Sequence, residues 1–524
     1  MDYPAATPRA TPPSSLGPAH VPARHVPPPA PATAATRAAT GHPPRPAGSS
    51  DVVHRKPVVP TLFRMSTALL TDHYELTMLR AALRSGAAER RAVFEVFTRS
   101  LPAGRRFGVM AGTGRLLAAL ADFRFGPAEI DHLSATGVVD PDTADWLASY
   151  QFRGDVDGFA EGEPFLPDTP VLVVEGTFAE CVLLETLVLS VLNHDSAIAA
   201  AGSRMVAAAG DRPCIEMGGR RTHEQAAVAA ARAAYLVGFT ATSNLEAARR
   251  YGVPSAGTSA HAFTLAHHDE AAAFAAQVAA LGAGTTLLVD TYDIPTGIAN
   301  AVAAAGSELG AIRIDSGDLA GGARAARTQL DQLGAESTRI IVTGDLDEHS
   351  IARLASAPVD GYGVGTSLVT GSGAPTAGFV YKLVEVDGEP VVKTSVGKRS
   401  RGGRKDVLRR LGPNGLAVAD LVIPRAPLDR SAAPRPAGGA SAARVPGGEA
   451  LDGAVGRRDR HLLVPLMRGG QLVADTLVGA AGVARAREHH RLALESLPAG
   501  AREVSFGRPC LPVVVAAAEP RTSF

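Results

Sequence analysis

The sequence predicts an α/β fold whose central part is a (β/α) barrel. Between about residues 212 and 370, short β-rich runs alternate with Ala-rich helical runs, and this unit recurs seven times. A regular alternation of strand, loop and helix is typical of a parallel sheet. Seven units favour closure into a barrel, and an open doubly wound sheet is the alternative. The sequence carries no G-x-G-x-x-G motif of the kind that dinucleotide-binding folds use.

The predicted strands begin with apolar residues and end in polar or small ones. They are PCIEMG, GFTATSN, VPSAGTS, TTLLVDTYD, AIRIDSGD, RIIVTGD and YGVGTS. Barrel enzymes build their sites from the loops at the carboxyl ends of strands, so the residues at these ends are expected to converge. These residues are Arg220, Arg221, Thr258, His261, Asp290, Asp293, Arg313, Asp315, Asp318, Gly344, Asp345, Gly365 and Thr366. Such a set predicts a pocket that holds anions.

Each strand-end residue also has a purely structural interpretation. Paired arginines such as Arg220 and Arg221 are common on solvated surfaces. An aspartate after a strand, such as Asp318 or Asp345, often caps the next helix. His261 taken alone is more typical of a buried, hydrogen-bonded histidine. The convergence of six such strand ends at one rim is what favours a site.

The residue types at the strand ends suit phosphate chemistry. Gly365 and Thr366 open a predicted helix, where backbone N–H groups and a hydroxyl can bind a phosphate. Arginine forks bind carboxylate or phosphate. Carboxylates such as Asp290 and Asp293 can hold Mg²⁺ or accept from ribose hydroxyls. A neutral imidazole beside a carboxylate, as His261 would be, can attack phosphorus.

The remaining chain is predicted to form four further parts around the barrel domain, which is assigned to residues 196–410. Residues 1–64 are rich in Pro, Ala and Thr and predict a disordered tail. Residues 65–195 mix strands and helices and predict an N-terminal α/β domain. Residues 426–448 predict a Pro/Ala/Gly-rich linker. Residues 449–524 form a C-terminal segment that we expect to pack on the N-terminal domain.

Composition excludes several classes of protein. The formal net charge is +0, so no overall field attracts the chain to nucleic acid or to a membrane surface. No apolar run is long enough to predict a transmembrane helix. The 3 cysteines are scattered, without a disulfide framework or a CxxC metal site, and predict a cytoplasmic protein.

Several motifs together resemble those of nicotinate phosphoribosyltransferases. The resemblance lies in LLTDHYELTM, EMGGRRTHEQ, GTSAHAF, LLVDTYD, IRIDSGDL and YGVGTSLVT followed by KLVEVDGEPVVKTS, which are colinear over about residues 65–410. It implies two domains: an irregular (β/α) barrel, and a smaller α/β domain formed from the N-terminal part and later returning segments. It also implies a homodimer with sites at the subunit interface.

The family resemblance implies a reaction as well. Nicotinate and 5-phosphoribosyl 1-pyrophosphate would give nicotinate mononucleotide and pyrophosphate, as a step of NAD salvage. ATP would serve as co-substrate and be hydrolysed through a phosphorylated histidine, and Mg²⁺ would be required.

Roles are carried over to residues at matching positions. His261 would take the phosphoryl group from ATP. Tyr74 would lie near the nicotinate ring, reaching in from the partner subunit. Thr258 and Arg313 would bind nicotinate, with Asp315 beside them.

The phosphoribosyl substrate would be bound by a second set of residues. Thr366 would hold a phosphate, and Gly365 would allow its close approach. By analogy with nicotinamide-using relatives, Arg220 would bind phosphate, and Gly344 and Asp345 would lie near the ribose. The metal ligands stay open, with Asp290 and Asp293 as candidates, and Asp290 and Asp315 are both candidates to orient His261.

Three alternative functions remain. A sibling enzyme would use nicotinamide or quinolinate instead of nicotinate. A barrel aldolase or lyase would need a strand-end lysine for a Schiff base, but no lysine lies between Lys56 and Lys382. A non-catalytic phosphosugar-binding protein would not need the complete set of His, Arg, Asp and Thr.

Overall fold

The computed structural model describes residues 66–393, 401–425 and 459–516. These residues all belong to one compact unit of the chain. The predicted tail at 1–64 and the predicted linker at 426–448 lie outside the described residues.

The described residues form helices and strands in the alternation that the sequence predicts. The α-helices are α1 (His73–Ser85), α2 (Thr113–Ala121), α3 (Pro127–Ala135), α4 (Pro141–Ala148), α5 (Phe178–Val182), α6 (Glu185–Ala209), α7 (Glu224–Leu236), α8 (Leu245–Tyr251), α9 (His261–Leu265), α10 (Glu270–Leu281), α11 (Ile294–Ala305), α12 (Leu319–Gln332), α13 (Glu348–Arg353), α14 (Thr366–Val369) and α15 (Gly479–Glu495).

The strands fall into a parallel group and several antiparallel groups. They are β1 (Arg91–Thr98), β2 (Gly108–Val109), β3 (Asp155–Phe159), β4 (Pro164–Phe165), β5 (Leu172–Thr177), β6 (Cys214–Glu216), β7 (Ala241–Thr242), β8 (Thr286–Leu288), β9 (Ala311–Ile314), β10 (Arg339–Val342), β11 (Gly361–Val364), β12 (Phe379–Val386), β13 (Glu389–Pro390), β14 (Lys405–Leu411), β15 (Ala417–Pro424), β16 (Arg460–His461), β17 (Leu463–Arg468), β18 (Gln471–Leu472) and β19 (Val513–Val515).

The barrel part is a sheet of six parallel strands in the order β7-β6-β11-β10-β9-β8. The first strand of the group, β6, pairs with the last, β11, through Tyr362 beside Cys214. Strands that are adjacent in the sheet are therefore consecutive along the chain, apart from the pair β6 and β11, which joins the two ends of the series. The strands thus form a ring that is open only between β7 and β8. This cyclic order is that of an irregular, incompletely closed barrel, which confirms the predicted fold class.

The third predicted strand, VPSAGTS, is reduced to one bridge between Ser255 and Thr242. Two more backbone bonds flank it, from Thr242 N to Pro254 O and from Ala256 N to Thr242 O, both 2.9 Å. Pro254 lacks a backbone N–H, and the small residues around it offer little side-chain packing. The segment therefore lines the edge of β7 for three residues and then leaves the sheet, so the ring stays open before β8.

The smaller domain is organised around an antiparallel sheet of seven strands in the order β13-β12-β1-β5-β3-β17-β18. Its central strands come from the N-terminal part, whereas β12 and β17 arrive after the barrel. This arrangement confirms that later segments return to the N-terminal part. Helix α6 runs without a break across residues 195 and 196, where the two domains are predicted to meet.

Helix α6 connects the two cores. The helix has 25 residues and is rich in Ala, and it ends at Gly210, whose φ of 63° an L-residue adopts only with strain. Its first half packs in the core of the smaller domain through residues such as Leu187 and Leu192. Its second half packs in the barrel core through Ile198 and Met205. None of the helices among the described residues combines the length and the apolar character that crossing a membrane requires.

A buried carboxylate joins the returning segments to the N-terminal part. Glu163 accepts hydrogen bonds from Arg409 and Arg460 at 2.6 Å and from His489 at 2.7 Å. Burial alone would raise the pKa of Glu163, but hydrogen bonds from His489 and Arg460 and the charge of Arg409 lower it to about 2. The three partners of Glu163 lie on β14, β16 and α15, so one ionised group connects three elements to the loop before β4.

We predict that His490 makes the fold acid-sensitive. Its Nδ1 donates to Gly162 O at 2.8 Å, and burial lowers its pKa from 6.5 to about 4. The unfolded chain therefore binds a proton more readily than the folded one below pH 6.5. The contribution of neutral His490 to the free energy of unfolding is fully present above that pH. The free energy of unfolding falls by about 2 kcal/mol between pH 7 and pH 5. In His490→Gln, the free energy of unfolding measured with urea should no longer show this decrease between pH 7 and pH 5.

The matched control for this experiment is His268→Gln, because the His268 side chain is 93% exposed. Its pH slope should equal that of the native chain. A native chain whose unfolding free energy is unchanged between pH 7 and pH 5 would contradict the account of His490.

Candidate active site

A polar cavity of about 160 Å³ lies at the carboxyl ends of β6, β9, β10 and β11. Its lining contributes three arginines and two aspartates, so its formal charge is positive. The lining residues are Met217, Arg220, Arg221, Arg313, Asp315, Thr343, Gly344, Asp345, Gly363, Gly365 and Thr366. This is the composition of a site that binds anions.

Arg313 holds several strand ends together. Its Nε donates to Thr343 Oγ1 at 2.9 Å, and Nη1 donates to Thr258 Oγ1 at 3.2 Å. Its Nη2 donates to Asp315 Oδ1 at 2.9 Å. The guanidinium is mostly buried, with 11% of the side chain exposed. Because an arginine has five N–H donors, two remain for a bound carboxylate or phosphate.

A chain of carboxylates links this arginine to His261. Asp290 Oδ2 accepts from the backbone N–H of Asp315 and from Ser316 Oγ, both at 2.8 Å. Asp290 Oδ1 is buried and lacks a hydrogen-bond partner among the described residues, and it faces His261 Nε2 at 3.9 Å. The other ring nitrogen, Nδ1, lies 3.2 Å from Thr291 Oγ1. The imidazole is therefore placed beside an anion and joined through it to the cavity.

Asp315 is ionised at neutral pH. Its partial burial would raise its pKa, but hydrogen bonds from Thr343 and Arg313 and the positive charge of Arg313 outweigh this and lower the pKa. An ionised Asp315 keeps the guanidinium of Arg313 oriented, since the two groups form an ion pair.

Glu216 supports the loop that carries Arg220 and Arg221. It is fully buried at the end of β6 and accepts hydrogen bonds from Gly218 N and Thr242 Oγ1. Both arginines are exposed at the cavity rim, and neither guanidinium has a hydrogen-bond partner in the described part of the chain. They are thus free to bind an anion.

Two glycines allow the strand ends to approach closely. Gly344 has a φ of +110°, and a Cβ there would lie 2.5 Å from Asp315 O. A Cβ at Gly363 would lie 2.4 Å from the Cγ2 of Thr343. Asp345 follows Gly344 in the left-handed region at a φ of 47°. This backbone is strained, and such strain commonly occurs at binding loops.

Some predicted site residues have local structural tasks. Asp293 caps α11 and accepts from Thr296 N at 3.0 Å. Asp318 caps α12 in the same way. Asp345 does not cap α13, because Asp347 does.

Tyr74 lies on α1 and does not line the cavity of its own chain. Its side chain is 43% exposed. Partial burial and the neighbouring Glu185 raise its pKa.

The structure adds site residues that the sequence analysis does not single out. Thr343 bonds to both Arg313 and Asp315, Met217 lines the cavity, and Thr291 contacts His261. Each directly follows a predicted strand core or lies within its end, so position alone could have identified them. Their chemistry is less distinctive than that of Arg or Asp.

A larger cavity of about 760 Å³ lies between β17 and α15. Its carboxylates already have cationic partners, because Glu161 pairs with Arg232 and Glu163 with Arg409. Its walls are largely apolar, as at Leu462, and it lies away from the strand ends. The 160 Å³ cavity therefore matches the predicted chemistry better.

We expect Gly344→Ala to weaken anion binding. The added Cβ meets Asp315 O and the φ becomes strained, so the loop must move away from the cavity. The affinity for inorganic pyrophosphate, measured by isothermal titration calorimetry, should fall about tenfold.

Gly334→Ala is the matched control, because Gly334 also has a positive φ, of +71°, but nothing lies within 4 Å of a Cβ there. This variant should bind pyrophosphate as the native chain does. Native affinity in a folded Gly344→Ala protein would mean that this loop is not part of the anion site.

Two family models match the chain. The nicotinate phosphoribosyltransferase N-terminal domain matches residues 69–193, and the nicotinate phosphoribosyltransferase family matches residues 213–412. The two models together cover the N-terminal strands of the smaller domain and the barrel strands that line the cavity.

Curated relatives match most of the chain. A nicotinate phosphoribosyltransferase of Mycobacterium tuberculosis is 58% identical over 452 residues, which are 85% of this chain and 94% of the relative. A second one from the same organism is 38% identical and covers 86% of this chain and 91% of the relative. One from Bacillus subtilis is 37% identical over 66% of this chain and 73% of the relative.

Solved structures are similar in fold. The human nicotinic acid phosphoribosyltransferase has a TM-score of 0.69 at 28% identity, covering 85% of this chain and 97% of the human one. A nicotinate-nucleotide pyrophosphorylase from Pyrococcus furiosus has a TM-score of 0.64 at 26% identity, covering 82% and 95%. By sequence, fold and the set of residues at its strand ends, this chain belongs to the nicotinate phosphoribosyltransferase family.

Proposed function

We propose that this enzyme joins nicotinate to 5-phosphoribosyl 1-pyrophosphate, giving nicotinate mononucleotide and pyrophosphate, and that it hydrolyses ATP in doing so. The product would enter NAD biosynthesis by salvage of the pyridine ring. The proposal depends above all on one observation: hydrogen bonds run from Thr258 through Arg313 and Asp315 to Asp290, and Asp290 Oδ1 lies 3.9 Å from His261 Nε2. This arrangement places an anion-binding arginine and a nucleophile at one rim.

Different residues of the cavity would bind the anionic groups of the two substrates. The two free N–H donors of Arg313 suit the nicotinate carboxylate, and the Thr258 hydroxyl lies beside them. The phosphate groups suit Arg220, Gly365 and Thr366 on the opposite strands. Gly344 and Asp345 would lie near the ribose, where the aspartate can accept from a hydroxyl.

The transfer step replaces one bond at the ribose by another. The bond from C1 to the pyrophosphate oxygen breaks, which leaves an oxocarbenium-like centre, and the pyridine nitrogen forms the new bond from the opposite face. The electron pair of the broken bond leaves with pyrophosphate. The arginines at the cavity rim would stabilise that growing negative charge.

His261 would accept the phosphoryl group of ATP. With its Nε2–H directed at Asp290, the lone pair of Nδ1 can attack the γ-phosphorus, and the bond from phosphorus to the bridging oxygen breaks to release ADP. Water later cleaves the phosphorus–nitrogen bond and returns inorganic phosphate. Asp290 suits the orienting role because its Oδ1 is buried, otherwise unpartnered in the described part of the chain and 3.9 Å from Nε2.

Phosphorylation of His261 would couple ATP to binding. A phosphoryl group adds about −1.5 to −2 charges, by analogy with other phosphorylated side chains. This charge would lie beside the phosphate cavity and change its affinity for the phosphoribosyl substrate. ATP hydrolysis would thereby be coupled to the change in affinity for the phosphoribosyl substrate.

Mg²⁺ fits the site as an ion that is held mainly by substrate oxygens. The described residues contain no cluster of three or more metal-ligating side chains, and Asp293 is already engaged as a helix cap. Asp290 is the candidate ligand, and its buried Oδ1 would then bind the ion instead of pairing with His261. When bound, Mg²⁺ would neutralise charge on the pyrophosphate leaving group.

A homodimer would complete the site. Tyr74 is half-exposed and does not reach its own cavity, so its ring is available to a second copy of the chain. In that arrangement the phenol would pack near the nicotinate ring of the partner's site.

The alternative is a sibling activity on nicotinamide or quinolinate. The fold is compatible with it, but the relatives with 58% and 38% identity are nicotinate phosphoribosyltransferases. Competition among the three pyridines for radiolabelled phosphoribosyl pyrophosphate would separate these activities, and we expect nicotinate to prevail.

The central test is His261→Ala. Without the imidazole, the phosphoenzyme that forms from γ-labelled ATP should disappear and ATP hydrolysis should stop. Slow transfer that does not depend on ATP should survive, because Arg313 and the phosphate cavity are intact.

His267→Ala is the control, since His267 follows on the same segment but contacts Phe263 instead of Asp290, with its Nδ1 2.7 Å from Phe263 O and its ring against the Phe263 ring. It should keep both the phosphoenzyme and ATP-dependent turnover. Undiminished ATP-dependent synthesis of nicotinate mononucleotide by His261→Ala would refute the assignment.

A further inference from the structure

A buried ionic cluster lies behind the two loops that line the phosphate cavity. Its centre is Glu348, the first residue of α13, which is 5% exposed. Glu348 Oε1 accepts from Arg204 Nε at 3.0 Å, and Oε2 accepts from Ser372 Oγ at 2.6 Å. None of these residues lines the cavity.

Glu348 connects one loop to the other. It comes three residues after Asp345, at the end of the loop that follows β10. Ser372 ends the turn that begins at Thr366, and its backbone N–H bonds back to Ser367 O at 2.6 Å. A single carboxylate therefore joins the far ends of the Gly344–Asp345 loop and the Gly365–Thr366 loop.

The turn on the Ser372 side is strained and needs support. Gly371 and Ser372 both have positive φ values, 63° and 50°. The guanidinium of Arg105, which is 5% exposed, donates to Gly371 O and, at 3.2 Å, to Ala197 O. A serine in this region is held only when its surroundings fix it, and here Arg105 and Glu348 do so from two sides.

Arg204 attaches the cluster to distant parts of the chain. Its Nη1 donates to Gly104 O at 3.0 Å, and its Nη2 donates to Val504 O at 2.8 Å. All its groups are thus engaged by the smaller domain, the C-terminal segment and Glu348. The carboxylate has a fixed anchor rather than a mobile surface partner.

Glu348 remains ionised in this setting. Burial would raise its pKa, but hydrogen bonds from Ser372 and from Arg204 lower it overall. Both of its links are therefore charge-assisted, and such bonds are about twice as strong as neutral ones.

We propose that Glu348 is a positioning residue, which holds the two phosphate-binding loops at the separation that the phosphoribosyl substrate requires. This rests on the proposed function only in naming the ligand. Without the link, each loop keeps its own strand but loses its fixed distance from the other, so phosphate binding weakens while the nicotinate side, organised by Arg313, is unaffected.

A positioning role and a purely electrostatic role of Glu348 predict opposite changes in anion affinity for Glu348→Gln. The cluster contains Arg105, Arg204 and Glu348, so neutralising the glutamate makes the region behind the cavity more positive. If only the field mattered, anions would bind more tightly. If the link matters, they bind less tightly, because the neutral amide can contact Arg204 and Ser372 only through weaker bonds without charge assistance.

The test measures phosphoribosyl pyrophosphate binding by calorimetry and the two Michaelis constants by kinetics. In Glu348→Gln we expect about tenfold weaker binding, the equivalent of one charge-assisted hydrogen bond. The KM for phosphoribosyl pyrophosphate should rise in parallel, with the KM for nicotinate and kcat at saturation within about twofold of native.

Ser372→Ala tests the same link with a smaller change. It removes one hydroxyl and should weaken binding about threefold. The double variant should bind no worse than Glu348→Gln alone, because both substitutions break one connection. Asp331→Asn is the control: it breaks the surface pair with Arg327 on α12, at 2.7 Å, and should leave binding native.

Tighter or unchanged binding in folded Glu348→Gln would overturn the assignment, as would an equal rise in both Michaelis constants. Effects that multiply in the double variant would also overturn it. If the native chain binds phosphoribosyl pyrophosphate but makes no nicotinate mononucleotide, the proposed function fails, and the calorimetric comparison still decides the role of Glu348.

Discussion

The site depends on the three-way hydrogen bonding of Arg313. Strand ends in a parallel sheet are neighbours by construction, but nothing in the backbone ladder fixes the loops beyond them. Arg313 fixes them by donating to Thr343, Thr258 and Asp315 through three different nitrogens. The planar fork has one geometry that satisfies all three, so these groups cannot shift independently.

The same physical solution recurs on a larger scale. Glu163 gathers Arg409, Arg460 and His489, and Glu348 gathers Arg204 and Ser372. In each case one buried ionised carboxylate joins segments that are far apart along the chain. A buried charge is stable only with its partners in place, so such clusters specify one arrangement of segments more strictly than apolar packing does.

The parallel sheet and the position of the candidate site at its strand ends could be predicted because both follow from local patterns. Apolar runs that end in Arg313, Asp315, Gly344 or Thr366 already indicate which ends of the strands carry polar groups. Alternation of strands and helices indicates that those ends meet at one edge. Neither inference needs a contact between distant residues.

The rest depended on geometry that is invisible along the chain. Asp293 and Asp345 look alike in sequence, but one caps a helix and the other lines the cavity, because Asp347 takes the capping position of α13. The predicted strand VPSAGTS forms only one bridge, because Pro254 has no backbone N–H to extend the ladder. The hydrogen bond from Arg204 to Glu348 joins residues 144 positions apart, and hydrophobic periodicity cannot predict such a contact.

The gap between the Ser255 bridge and β8 gives the site one compliant side. The segment that carries His261 leaves the sheet at that gap and rejoins it only at Thr286. On the opposite side, the cavity lies at the ends of β6, β11, β10 and β9, which are joined in this order by backbone hydrogen bonds. The histidine side of the site is therefore formed by chain that belongs to no strand ladder, whereas Arg313 lies on β9, which pairs with a strand on each side.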